Sequence, residues 1–351
     1  MQFSREIALL KLLADDNRQL MASRVLAREL DFQQLLDFLE RHELSQYFAH
    51  KLDALQLGKL FPAGFRERLR WQGEAQAQQR TALASALREL HSVFAAAGVE
   101  IVLTKGLYLA DQYWGGVANR FTWDIDVLVK ARDVDRAVQS LQQCGYRSVH
   151  TRPFAAALVR RFSHAMEFTR LGTAVDLHWI FRPRPGHRVD YNAVWERCGY
   201  WQFDGLQYRV LSPQDTLLML LLGIAQDVER AQPNYRKLWD IYLLLGSEVV
   251  ADWDAFFHLA GQQGVDRLAI AMLSFTCHAL DCQSAFPALD RALQQHSGRT
   301  HCSAQQLQKL LERPPKHPAN RLFIAGLQPV SAAYYLAWWT LTAPMRYLVW
   351  R

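Results

Sequence analysis

Apolar side chains recur at helical spacing along the first part of the chain: Ile7, Leu10 and Leu13, then Leu35, Leu36 and Leu39, then Leu83, Leu87, Leu90 and Phe94. Residues 1–97 are therefore predicted to be helical, with Gly58, Pro62 and Gly64 punctuating the middle. The period then changes. Val99–Thr104 reads as a short buried strand, Lys105-Gly106 as the turn that ends it, and Leu107–Tyr113 as a helix. Trp123 to Val129 alternates, and strand neighbours point to opposite faces, so Trp123, Ile125, Val127 and Val129 take one side and Asp124 and Asp126 the other. A helix is expected over Asp133–Cys144. The runs His164–Arg170 and Thr173–Trp179 flank Leu171-Gly172, a two-residue turn whose register sets Glu167 opposite Asp176 on one face. Ser212 caps a further helix with Pro213 in its first turn and Leu217, Leu218 and Leu221 beneath. No internal repeat is evident.

This pattern divides the chain into a helical region 1–97, a strand-bearing core 98–211, a second helical region 212–320 and an aromatic-rich segment 321–351. The fold class it predicts is α/β (α+β): a small mixed β-sheet flanked by N- and C-terminal helical regions.

Composition changes this picture little. At 351 residues, 50% hydrophobic and 21% charged, the chain has the make-up of a globular protein with a sizeable core. A net charge of +6 and a pI near 9.1 favour anionic partners, but no block of five like charges occurs. The densest basic stretch, Arg182-Pro183-Arg184-Pro185-Gly186-His187-Arg188, is a proline-rich loop that could touch phosphate. Five irregularly spaced cysteines without a signal peptide read as reduced thiols of a cytoplasmic protein. Cys277, His278, Cys282, His301 and Cys302 could assemble around zinc, although their spacing follows no standard pattern. Residues 322–345 carry no acidic or basic side chain and include Tyr334, Tyr335, Trp338 and Trp339. Gly326, Gln328, Pro329, Ser331, Thr340 and Pro344 dilute the run, so a helix docked on the core is expected, with peripheral membrane contact, helped by Arg346 and Arg351, as the next reading and a span as the last.

The chemistry concentrates in the strands. Asp124 and Asp126 sit side by side on one face, and paired carboxylates repel each other unless a cation lies between them, so a divalent metal is their natural partner. In Ala174–Trp179, Val175, Leu177 and Trp179 take the apolar face while Asp176 and His178 take the other. Three carboxylates on neighbouring strands, facing a small-residue turn, meet the needs of a two-metal nucleotidyl-transfer site. In that reading Asp124 and Asp126 clamp Mg²⁺ (or Mn²⁺), and Asp176 completes the second ion's shell and accepts the acceptor's proton. Gly106 lets the backbone approach phosphate, and Thr104-Lys105-Gly106 and the start of the next helix face it. Lys105 and Arg120 neutralise a triphosphate, and His178 orients Asp176 or touches the acceptor. Glu167 stands at the edge of the metal site as a further ligand candidate.

The run Leu103-Thr104-Lys105-Gly106, then Arg120 ahead of Asp124-Ile125-Asp126-Val127-Leu128-Val129, then Val175-Asp176-Leu177-His178-Trp179 resembles the bacterial uncharacterised nucleotidyltransferase family, part of the DNA polymerase β-like superfamily. The resemblance covers residues 95–220 well and the helical flanks loosely. It implies transfer of an NMP group from an NTP to a hydroxyl or phosphate of an unknown small molecule, sugar or protein, with pyrophosphate release. It also implies a nucleotidyltransferase core carrying Thr104, Lys105, Gly106, Arg120 and His178 around the nucleotide. The wider superfamily has Gly-Ser where this chain has Thr104-Lys105-Gly106, which keeps open a catalytically inactive nucleotide-binding or scaffold protein. An Asp-x-Asp glycosyltransferase is a further alternative, but such folds open on a nucleotide-binding βαβ unit and this chain opens on helices. With no RNA-binding module and no basic stripe interleaved with aromatics, nucleic acid is not an expected partner.

Overall fold

The computed structural model describes residues 3–26, 30–149, 164–181, 186–232, 234–300, 303–313 and 317–349. Its strands are β1 (Ile101–Leu103), β2 (Asp124–Val129), β3 (Arg147–Ser148), β4 (Ala165–Arg170), β5 (Thr173–His178), β6 (Gly199–Phe203) and β7 (Leu206–Val210). They form one mixed sheet in the order β3-β4-β5-β2-β1-β7-β6, with helices before, between and after them. The fold class is thus the mixed α/β arrangement that the sequence pattern predicts.

Burial explains the order. From Ile125 to Val129 every residue of β2 is buried, as befits a central strand covered on both faces. In β5, Thr173, Val175 and Leu177 are buried while Ala174, Asp176 and His178 are partly open, the alternation of a strand with one apolar face. The long helix Ala63–Ala96 packs against β2 and β5 and against the helix Val134–Gln143, burying Leu83, Leu87, Leu90 and Phe94. The carboxylates project from the opposite face. There the helix Pro213–Glu229 begins at Ser212, whose hydroxyl accepts from the Asp215 amide at 3.1 Å, with Pro213 in the first turn. It packs on the helices Tyr235–Gly246, Asp266–Leu280 and Pro318–Gly326.

The hairpin β4–β5 has the expected register: Arg170 pairs with Thr173 and Glu167 with Asp176. Its turn holds Leu171 at φ 48° and Gly172 at φ 81°, the doubly positive geometry that matches strand twist. One expectation fails. Trp123 precedes β2, is 55% exposed and sets its ring edge-on to Phe121 instead of joining the apolar back of the strand. The hairpin β6–β7, turned by Asp204-Gly205 with both φ angles positive, adds β7 parallel to β1 and so places β1 in the sheet interior.

The chain ends in the helices Pro318–Gly326 and Ala332–Val349. Tyr335 is buried, its hydroxyl 3.4 Å from both Glu229 carboxylate oxygens, whereas Tyr334 and Leu341 are exposed. Among the described residues no helix is long and apolar enough to cross a membrane. Of the basic loop, residues 182–185 lie outside the described residues, as do His301 and Cys302 of the zinc candidates and Arg351.

Candidate active site

The turn after β1 brings the chain to the carboxylates. The Thr104 amide donates to the Asp126 carbonyl at 3.2 Å, which ties the turn to β2. Gly106 follows at φ 65°, ψ −127°, a conformation that only glycine adopts without strain. A Cβ there would stand 3.3 Å from the Asp124 carbonyl oxygen and from Thr122 Cγ2, so the close approach of turn and strand also excludes a side chain.

Parallel pairing of β2 with β5 sets Asp126 beside Asp176 and Leu128 beside His178. Two steps along β5 keep Asp176 and His178 on one face. Asp126 is 4% exposed and is held from two sides: Lys105 Nζ lies 2.8 Å, and His178 Nε2 3.1 Å, from its Oδ1. One ligand atom each from Asp126, Asp176 and His178 fall within 4.8 Å of one another. A carboxylate pair plus an imidazole is a donor set suited to a divalent ion, and the residues present fit a metal.

The electrostatics carry the mark of clustered carboxylates. Asp124 is pushed up to about 6, first by the charge of Asp126 and then by burial. Asp176 is pushed up to about 8, first by burial and then by Asp126 and Asp124. Burial opposes ionisation of Asp126 as well, but Lys105 and His178 outweigh it and hold this carboxyl far below the usual range. Asp126 is therefore the fixed negative charge of the site, and Asp176 holds its proton to higher pH than Asp124.

A ring of cations surrounds this floor, each with an acidic partner. Arg120, 4% exposed, forks onto Asp240 with Nε at 2.7 Å and Nη2 at 2.9 Å, and Trp114 Nε1 donates to the same carboxylate at 2.9 Å. Arg236 donates to the Phe121 carbonyl at 2.7 Å and lies 2.9 Å from Glu43. Lys237 meets Asp227 at 2.8 Å. Burial, then the charge of Arg120, lowers the proton affinity of Arg236.

Thr104, Lys105, Arg120, Asp124, Asp126, Glu167, Asp176 and His178 all line one cavity of about 400 Å³. Of the sequence candidates, only Gly106 stands behind the lining, where it shapes the turn. The opposite wall is apolar, with Met219, Leu220, Leu222 and Gly223 from the helix Pro213–Glu229 and Phe181 from the end of the strand region. Arg236, Lys237 and Asp240 also face the cavity and escape sequence reasoning. One signal was there to read: Arg236 and Lys237 fill the first turn of a helix, the end whose dipole disfavours cations, so an anionic neighbour was implied.

Residues 28–313 match the model of a family described as uncharacterised nucleotidyltransferase. No curated protein matches the chain. Among solved structures, the chain is similar to the antibiotic-resistance factor ANT(2'')-Ia, at 12% identity and TM-score 0.37, over 52% of this chain and 91% of that one. It is also similar to an antigenic nucleotidyltransferase-like protein from Paracoccidioides brasiliensis, at 15% identity and TM-score 0.34, over 62% of this chain and 92% of that one.

Proposed function

The chain belongs to the uncharacterised nucleotidyltransferase family, and we propose that it moves an NMP group from an NTP to a hydroxyl or phosphate acceptor with release of pyrophosphate. The observation that carries this reading is the convergence of Asp126, Asp176 and His178, with Asp124 and Lys105 beside them, on the floor of one cavity.

Asp124, Asp126 and Asp176 would hold a divalent metal, Mg²⁺ or Mn²⁺, with Glu167 opposite Asp176 at the edge of the set. When bound, the metal supplies electrostatic stabilisation of the phosphate charge and acidifies the acceptor hydroxyl. Lys105, about a third exposed at its side chain, is free to leave Asp126 and follow the triphosphate once the carboxylate is neutralised. Thr104 presents a buried hydroxyl without a hydrogen-bond partner among the described residues, placed to donate to a phosphate oxygen. Arg120, locked on Asp240, contributes a fixed positive field at the back of the cavity. Asp176, on the cavity floor, would receive the proton of the attacking hydroxyl once its own has been displaced. The acceptor oxygen bonds to the α-phosphorus as the bond to the β-phosphate bridge breaks, and pyrophosphate leaves. The apolar wall of Met219, Leu222 and Gly223 offers a surface for the base or the acceptor. In this scheme residues 98–211 are the catalytic core and residues 212–320 close it. The free thiols Cys144, Cys198, Cys277 and Cys282 support a reducing cytoplasmic setting.

The test uses NTPs labelled on the α- or the γ-phosphate, Mn²⁺ and a broad set of small-molecule and protein acceptors. Nucleotidyl transfer puts α-label on an acceptor and γ-label in pyrophosphate, and Asp126→Asn abolishes both. Tight NTP binding with no label transfer to any acceptor would favour the inactive nucleotide-binding alternative instead.

A further inference from the structure

The trio whose ligand atoms converge is not three aspartates but Asp126, Asp176 and His178. Resting on the metal reading above, we infer that His178 Nε2 is itself a metal ligand, and that the site takes a first-row divalent transition ion in preference to Mg²⁺. The strand geometry sets this up. Asp126 and Asp176 are cross-strand partners, and His178 follows Asp176 by one alternation, so all three side chains leave the same face. The His178 ring is 15% exposed, and its Nε2 already lies 3.1 Å from Asp126 Oδ1. That nitrogen and the carboxylate oxygen are thus already close enough for both to bind one ion. The buried Thr104 hydroxyl, which lines the same cavity and has no partner among the described residues, is a second, independent sign that this space is built to receive a polar ligand.

The donor set decides the ion. Mg²⁺ prefers oxygen ligands and keeps much of its water, whereas an imidazole nitrogen favours transition ions. A role limited to orienting Asp176 or touching the acceptor would leave His178 out of the coordination shell and the choice of ion unaffected.

The experiment loads the full chain with Mn²⁺ alone and records pulsed EPR for directly bonded ¹⁴N, alongside calorimetric titration with Mn²⁺ and with Mg²⁺. Wild type is expected to show a coordinated nitrogen that His178→Gln removes and His164→Gln retains; His164 is the neighbouring ring, 5.9 Å away centre to centre. His178→Gln is further expected to weaken Mn²⁺ at least about tenfold, the lower end of what even outer partners of a metal site cost, while Mg²⁺ changes less. Mn²⁺ that binds and is lost in Asp126→Asn, but shows no bonded nitrogen in wild type, overturns the assignment of His178 and leaves the metal reading standing. A nitrogen signal that survives in His178→Gln and disappears in His164→Gln overturns it too. Absence of any Mn²⁺ binding by the wild-type chain overturns both. Should the His178 variant fail to fold, the His164→Gln spectrum decides: a bonded nitrogen that persists there supports His178, and one that is lost overturns it.

Discussion

Asp126 and Asp176 face each other across a parallel strand pair, yet one is held ionised and the other holds its proton up to about 8. A metal must displace the protons of Asp176 and of Asp124, which is raised to about 6, so metal affinity should increase as pH rises through that interval and level off above it. Calorimetric Mn²⁺ titrations across this range test the sign; affinity that is flat or falls with pH contradicts it, and Asp176→Asn should remove the upper part of the rise. The candidate carboxylates were legible in the sequence because strand alternation alone sorts Asp124, Asp126 and Asp176 from their apolar neighbours. Arg120 was legible as a cation near the site but not in its role, since its partner Asp240 lies in a helix far along the chain. Asp240→Asn leaves a buried guanidinium without its counter-charge and should cost about 3 kcal/mol of stability, as broken buried pairs do. Denaturant unfolding reads this directly, and a loss under about 1 kcal/mol, the range of exposed pairs, would show that the fork contributes little.

The elements that matter most are the shortest. The turn Thr104-Lys105-Gly106 joins a three-residue strand to a seven-residue helix, and its geometry rests on one glycine. Gly106→Ala should cost about 1–3 kcal/mol from backbone strain. It should also weaken Mn²⁺ binding, because the added methyl pushes on the Asp124 carbonyl. Thermal unfolding and metal titration of this variant separate the two effects, and unchanged values for both would contradict the tight packing of turn on strand. The β4–β5 hairpin was readable because Leu171-Gly172 fixes the register, and with it the meeting of Glu167 and Asp176. Trp123 was misread because alternation says which way a side chain points but not where the covering layer ends.

At the scale of the whole molecule, the sheet supplies the charged floor of the cavity and the helix Pro213–Glu229 its apolar wall. Helical periodicity announced that helix but not its position over the sheet, which depends on packing between residues distant in sequence. The aromatic-rich segment shows the same limit: its apolar run was plain, while the burial of Tyr335 against Glu229 follows only from the assembled helices. A ligand gripped by floor and wall together should stabilise the chain as a unit. Mn²⁺ with NTP should therefore raise the melting temperature more than the sum of the shifts from either alone, the nucleotide at a hundredfold excess over its Kd adding about 2.7 kcal/mol of stability. Additive shifts would mean that metal and nucleotide occupy unconnected places.

The most direct test of the central claim is calorimetric binding of ATP, GTP, CTP and UTP, with Mg²⁺ or Mn²⁺ and without metal, to the wild-type chain and to an Asp124→Asn/Asp126→Asn double variant. The account predicts nucleotide binding that requires metal and disappears in the variant. Nucleotide binding that is indifferent to metal, or that the variant retains, would contradict it.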